Sequence, residues 1–565
     1  VGKKYTTKKM IHSFLHDTWR ASQTIPSPHE IEQEFPYTGK NPGRHRRRIH
    51  EARTLFKALT MAERYGTGQV DFPQPELPLS QGTMEDPAQR REDGGSGTRT
   101  FVFTCAQNNT DLIPDDMWKT LLNLVDYYDA ELHVSQFTYN KGAYGSKSIK
   151  PGSGKSTDDD QLAYAPEIEQ YVSNTDIQIT DDLVWLGSLN ILPTAVNPTT
   201  GFQNHTRQAS CIIPHVKLAM ESVPTMKHDP AKFMYTTGAI TQRNYIQKTA
   251  GQKADFHHVF GALLVEVDEN NNWWARQLNF DQQGGLYDLN RFFTPTEVFD
   301  DVRVQAVTHG DIHGWKKDED VCETVFGPAG MMDRLMPREQ YFHDIIDFMP
   351  RNHHNRKDFQ FMREMFRNKT DSVEQEFKDI AYWLMHDAHR DWCESYIVVS
   401  NHDQAVDNWL ADSSALTDPV NLELWLRLNH QKSMGYGLDH PFRNLIMQSC
   451  HAARGRGDVR ARPQVILEDQ SHKILDKIEA GLHGHLGPNG ARGNPKNLRT
   501  AGKANTGHTH SAGIVEGVYT AGVLGKLDMG YNKGLSGWSH SSIVTYPNGK
   551  RAILTHDPST GKWWR

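Results

Sequence analysis

Cysteine is scarce: Cys105, Cys211, Cys322, Cys393 and Cys450 are the only five in 565 residues. Their odd number, wide spacing and lack of any CxxC pair exclude a disulfide framework and a zinc ribbon as organising devices. A reducing cytoplasm is the expected compartment. There is no run of about 18 apolar residues, so no membrane span is expected. The opening Val1-Gly2-Lys3-Lys4 leads into a polar amphipathic stretch without the apolar core of a signal peptide, and the missing initiator Met reads as processing or trimming. Charge of one sign is lacking too: 62 Lys and Arg stand against 69 Asp and Glu, and the net −7 gives no steering toward a polyanion by itself. What the chain does hold is enough apolar material, 37 %, for real cores, and a length that suggests about two to four domains. It also holds 29 His, 11 in residues 1–300 and 18 in the shorter stretch 301–565. Histidine is the commonest metal ligand and a frequent acid–base group, so the enrichment points the search for a site to the C-terminal part.

Residues 1–70 read as helical and helix-turn-helix-like. Thr6 to Arg20 is amphipathic, Pro26 and Pro28 break it, and a second helix runs from Pro42 through the basic Arg44–Arg48 to Ala62. Such a basic helix suits nucleic acid, and equally a solvated face packed on a neighbour. Residues 71–99, rich in Pro, Gly and charge, read as a linker. Residues 100–295 form a mixed α/β domain of unassigned role. Its expected strands are Phe101–Thr104, Ala130–Phe137, Leu183–Trp185, Cys211–Ile213 and Phe260–Val267, with a helix from Trp118 to Tyr128. Within it, Pro151-Gly-Ser-Gly-Lys-Ser-Thr157 mimics the end of a phosphate-binding P-loop. The required earlier Gly is Ile149 and no apolar strand leads in, so a surface loop is expected.

From residue 296 the signals become ordered. Val302–Val307 reads as a strand, followed by His309-Gly-Asp311-Ile-His313-Gly. In an extended chain Asp311 and His313 would lie on one side and grip one cation. Gln340–Phe342 is strand-like and runs into His343-Asp344-Ile-Ile-Asp347, where a carboxylate at the strand end can bridge two metals. Helices are expected over roughly 357–367 and 372–390. The strand Ser395–Val399 ends in Ser400-Asn401-His402-Asp403. Last come Gly481-Leu-His483-Gly-His485 and Gly507-His508-Thr-His510. Taken singly, an Asp-x-His pair, an Asn-His-Asp turn or a His-Gly-His loop is more often structural. Five in this order at strand ends are more specific, because carboxyl ends of strands are where an α/β sheet gathers ligands. Mixed N/O donors without thiolate suit Mn, Mg, Fe or Zn.

Asp311-x-His313, His343-Asp344-x-x-Asp347, Ser400-Asn401-His402-Asp403, His483 and Gly507-His508-x-His510 resemble, in order, the motifs of the calcineurin-like metallophosphoesterase superfamily, over about residues 300–565. His343 and Ser400 depart from that pattern, which has Gly at both positions; neither is a ligand position in it. The resemblance implies a four-layer αββα sandwich and a two-metal site. Asp311, His313 and His510 would hold one metal. Asn401, His483 and His508 would hold the other, with His485 the alternative to His483. Asp344 would bridge them. His402 would act on a phosphoryl or leaving-group oxygen, and Asp347 is grouped with His402 and Asp344 as catalytic. Mn²⁺ is favoured because nuclease members of the superfamily commonly use it. The runs HDxxDF, RNHH, SNHD and HGHxGPNGARG further resemble early first-step-transfer proteins of large tailed coliphages, associated with host-DNA degradation. This second resemblance implies a DNase with DNA as partner, and Arg351, Arg356, Arg454, Arg456 and Arg492 are its expected backbone contacts. A small-substrate phosphatase or cyclic-nucleotide phosphodiesterase, and a DNA-binding regulator with a vestigial site, are the alternatives; self-association is left open. The stretch 404–450, with Trp409, Leu410, Leu422, Trp425 and Leu426 at helical spacing, reads as a helical insertion. Pro547-Asn-Gly-Lys550 reads as a hairpin turn.

Overall fold

A computed structural model describes residues 28–34, 84–85, 98–139, 163–352, 356, 358–435, 440–454, 462–557 and 559–564. The chain divides into two compact units, Val1–Pro78 and Leu79–Arg565. In the first, the described residues form the helix Pro28–Glu34. Pro28 is its first residue, where a proline gives up an N–H that has no helical acceptor anyway. The expected helices Thr6–Arg20 and Pro42–Ala62, the P-loop-like run 151–157 and most of 71–99 lie outside the described residues.

The second unit is mixed α/β with several sheets. Strands Arg99–Gln107 and Glu131–Phe137 pair in parallel through the helix Asp115–Tyr127, a crossover. Gly261–Val267 and Trp273–Asn279 extend the same sheet antiparallel, and Val172–Ser173 closes its other edge. Arg99–Gln107 is buried on both faces without a break from Thr100 on, and its apolar residues accordingly do not alternate with exposed polar ones. Val102 meets Trp118, Leu121 and Leu124 of the helix, while Phe101 and Phe103 pack with Trp185 and Tyr235 of a second, longer sheet.

That second sheet has eleven strands. At its middle, Met220–Val223 pairs antiparallel with Gly513–Val515, Met220 opposite Ile514. Strands from both sides of residue 295 therefore share one ladder. Met84–Glu85, inside the expected linker, lies at its edge against Asp176–Ile177.

A third sheet of six strands carries most of the chemistry. Its order is Gln464–Ile466, Glu394–Val398, Glu339–His343, Ala306–Thr308, Ser541–Thr545, Arg551–Thr555, the first four parallel. Alternation separates its faces. Val307, Phe342, Ile397 and Val544 meet the helix residues Val325, Phe377, Ile380 and Leu445. Ala306, Tyr341, Tyr396 and Val398 meet Ile474 and Ile478 of the long sheet. The strand expected over Val302–Val307 is only Ala306–Thr308. Upstream, Val302 N donates to Asn290 O at 2.8 Å and Val304 N to Leu335 O at 3.1 Å, so those amides leave the ladder. The helix Val373–Trp383 starts at Ser372, whose hydroxyl accepts from Gln375 N. Among the described residues of 404–450, α-helices cover Ala405–Leu410, Leu422–Ser433 and the start of Pro441–Ala453; in Leu422–Ser433 the buried residues are Leu424 and Leu428, and Leu426 is exposed. Gly549, at φ 76°, turns the final hairpin, where the Asn-Gly pair predicts one. All five thiols are buried and free. Among the described residues no helix is long and apolar enough to cross a membrane.

Candidate metal centre

The parallel strands of the six-stranded sheet end together, and their ends deliver the site. After Thr308 the chain bends through Gly310, where a Cβ would lie 2.7 Å from Val523 N, so only glycine allows the approach. Asp311 is fully buried. Its Oδ2 accepts from His508 N at 2.9 Å and lies 3.0 Å from His510 Nε2, while its Oδ1 has no hydrogen-bond partner among the described residues. His313 does not follow in extended backbone as the spacing predicts. It adopts left-handed φ 60°, and this turn aims its Nε2 to 2.9 Å from His510 Nε2. Asp344, His508 and His510 are also left-handed, at φ 44°, 72° and 56°. Non-glycine residues in that region are uncommon, and four at one locus mark backbone held by its surroundings for a geometric purpose. The same turns undo the strand alternation expected of His508-x-His510, and the two rings diverge. His510 lies against His313, ring centroids 4.7 Å apart, and His508 lies 5.2 Å from His483.

Asp344 sits between the two halves. Its Oδ2 is 3.6 Å from His313 Nε2 and 3.5 Å from His483 Nε2, and its Oδ1 has no hydrogen-bond partner among the described residues. His483 Nε2 is also 3.2 Å from Asn401 Oδ1. His485 instead meets Gln404 at 3.2 Å. Asp311, His313, Asp344 and His510 thus bring four buried donor atoms within 4.8 Å of one another, and Asp311 with His343 and His483, and His313 with Asp347 and His402, form two further such groups. Converging nitrogen and carboxylate lone pairs, several without any hydrogen-bond partner, have the donor chemistry of a metal site.

Asp347 organises the open side. Its carboxylate lies 3.2 Å from His313 Nδ1, 3.3 Å from His402 Nδ1 and 2.9 Å from Lys316 Nζ. Burial opposes its charge, but the bonds to His313 and His402 and the Lys316 cation hold it well below the usual carboxylate range. Burial likewise opposes charging of His402, and Asp344 and Asp347 outweigh it, pushing His402 up to about 10. The Ser400 hydroxyl accepts from Asp403 N, and Asp403 accepts from Ser400 N, both at 3.1 Å, so the serine shapes the loop that carries Asn401 and His402.

The expected DNA contacts fare differently. Arg351, only 6 % exposed, grips Asp418 with both arms of its guanidinium. Arg356 pairs with Asp412. Arg492 is exposed, on a loop that folds back so that Gly493 N donates to His485 O at 2.7 Å. Arg454 lies at the end of the helix Pro441–Ala453, and Arg456 lies outside the described residues. Other neighbours carry no sequence signal. Glu376 accepts from Asp347 N at 3.2 Å. Trp538 packs edge-on against His510, centroids 4.2 Å apart, and Tyr531, half exposed, lies 5.9 Å from Trp538 with Lys316 Nζ 5.2 Å above its ring.

The metal-free protein should be most stable near pH 6.5. Burial holds His313, His508 and His510 down at about 4 and His343 at about 3, against 6.5. The folded state therefore binds fewer protons than the unfolded chain between about pH 4 and 6.5, and stability rises with pH across that window. Burial pushes Asp311 and Glu376 up to about 8, from 3.8 and 4.5, and His402 stands at about 10. Those groups keep protons that the unfolded chain has released, so stability falls as pH rises above 6.5. Thermal melts in EDTA from pH 5 to 8.5 check this; a melting temperature still climbing between pH 7 and 8.5 contradicts it.

Over 477 residues the chain is 37 % identical to Protein A1 of Escherichia phage T5, a match spanning 82 % of this chain and 83 % of that protein. No protein-family model and no solved structure matches the chain.

Proposed function

We propose, for a chain that belongs to the family of Protein A1 of Escherichia phage T5, that it is a metal-dependent phosphodiesterase of the calcineurin-like type, a DNase that degrades host DNA early in infection. The observation that carries this reading is the convergence of Asp311, His313, Asp344 and His510 on one buried point, with His402 and Asp347 beside it. The architecture we propose for residues 296–565 is the αββα sandwich, supported by a helix-covered six-stranded sheet packed on a second sheet.

Asp311, His313 and His510 would hold one divalent cation, Asn401, His483 and His508 the second, and Asp344 both. Two such ions, Mn²⁺ favoured, supply Lewis acidity toward a phosphoryl oxygen and a hydroxide nucleophile near neutral pH. Asp347 keeps the proton of His313 on Nδ1, leaving Nε2 as the donor lone pair. His402 Nδ1 is held by the Asp347 carboxylate and by Asp347 O at 3.2 Å, which leaves Nε2 to donate to the substrate. A protonated His402 offsets charge on the phosphoryl group and passes a proton to the departing oxygen. Tyr531, Trp538 and the exposed Arg492 favour a nucleotide chain over a small ester, through stacking and a backbone contact.

The test is one matrix: purified chain with plasmid DNA, a cyclic nucleotide or a nitrophenyl phosphoester, each with Mn²⁺, Mg²⁺ or EDTA. Plasmid cleavage in Mn²⁺, abolished by EDTA, is expected. Ester cleavage without DNA cleavage makes the protein a small-substrate phosphatase. DNA retention without turnover of any substrate makes it a binding protein with a vestigial site.

A further inference from the structure

His343 stands where the family motif has glycine, at the last position of the strand Glu339–His343 and directly before Asp344. Its side chain is fully buried. It occupies space that a neighbouring glycine leaves free: a Cβ at Gly507 would lie 3.2 Å from both Cβ and Cγ of His343, and 2.2 Å from Asp311 Oδ1. The ring lies 33° from parallel to that of His483, with centroids 5.4 Å apart, and the two Nδ1 atoms are 3.2 Å apart. The other nitrogen of His343, Nε2, is buried without a hydrogen-bond partner among the described residues.

Two facing ring nitrogens at that distance share one proton, so one donates and the other accepts. His483 directs its other nitrogen, Nε2, at Asn401 Oδ1 and Asp344 Oδ2. If Nε2 is to offer a lone pair there, the proton of His483 must sit on Nδ1, and His343 Nδ1 must accept it. His343 then carries its own proton on Nε2, the atom left without a partner. His313 is held in the same sense on the opposite side by the Asp347 carboxylate. The site thus has one carboxylate-oriented and one imidazole-oriented histidine, and the imidazole orients without adding a negative charge.

We infer that His343 is a positioning residue that fixes the tautomer and ring plane of His483 for the second cation. The inference rests on the two-metal reading, so its test measures metal rather than turnover. Mn²⁺ is titrated calorimetrically into metal-free full-length wild type, His343→Ala and His343→Asn, each first checked for native secondary structure and cooperative melting. Asn places an acceptor oxygen where Nδ1 stands. His343→Ala is expected to keep the first equivalent and to weaken the second by roughly 10–100-fold, the usual cost of losing a group that orients a ligand; His343→Asn is expected to restore most of it. Two equivalents bound by His343→Ala at wild-type affinity overturn the inference. So does a folded His343→Asn as weak as Ala, which would assign His343 a packing role. Wild type binding fewer than two equivalents overturns the two-metal reading itself, and this outcome is distinguishable because no variant enters it.

Discussion

Replacing His402 with alanine should lower phosphodiester hydrolysis by about two to four orders of magnitude, the range supplied by a positioned acid–base group, while metal content stays at wild-type level. The separation follows from position. The His402 ring is held by Asp347 through Nδ1 and lies edge-on to His313, centroids 4.8 Å apart, but it is not among the donors converging on Asp311 and Asp344. It is also partly exposed, at 15 % of its side chain, where Asp344 is essentially buried. Removing it leaves the buried donors in place and takes away a cation that two carboxylates hold charged. Single-turnover rates on plasmid DNA, with metal analysis of the same sample, check both halves. Full activity of the folded variant removes His402 from the mechanism, and parallel loss of metal makes it a ligand.

Asp344→Ala should abolish both metal occupancy and hydrolysis. Asp344 Oδ2 lies within 3.6 Å of both His313 and His483, and its Oδ1 is a buried atom without a hydrogen-bond partner among the described residues. Without it Asp311 is left as the carboxylate of the proposed centre, and the group that would span two cations is gone. The same change places alanine, which tolerates left-handed backbone less well than aspartate, at φ 44°, so the variant must first be shown to melt cooperatively. Elemental analysis after dialysis and the plasmid assay are the readouts. A variant that keeps two equivalents of Mn²⁺ and normal cleavage refutes the proposed centre.

Much of the site was legible because its residues are those that chemistry needs at strand ends. Asp311, His313, Asp344, His483 and His510 are separated by up to 199 positions, yet each lies within two residues of a glycine or another donor, and the structure brings them together in the candidate groups. What was not legible was how they turn. Alternation along a strand predicts that His508 and His510 point together, but left-handed backbone at both sends them to different neighbours, and nothing in a Gly-His-Thr-His run announces that. His343 was passed over because a departure from glycine reads as a change of loop shape. Its contact with His483, 140 residues away, exists only in three dimensions. The pairing of Arg351 is equally hidden: its sequence neighbours look basic, while its partner, Asp418, is 67 residues downstream. The β strands of 100–295 were recognisable one by one, but no local pattern tells that Met220 pairs with Ile514.

That last pairing bears on how the chain matures. On a ribosome adding about 5–20 residues per second, strand Met220–Val223 emerges with one edge open and waits for a partner about 290 residues downstream, on the order of 15–60 s later. During that interval the nascent polypeptide presents unpaired backbone amides and carbonyls, the template on which a second nascent chain can add. Closure of the ladder, and with it the delivery of His508 and His510 from the neighbouring segment 507–510, therefore waits on the synthesis of residues 507–515. A nascent chain that stops short of residue 508 lacks both of those histidines, so the proposed metal centre is incomplete until that segment has been made.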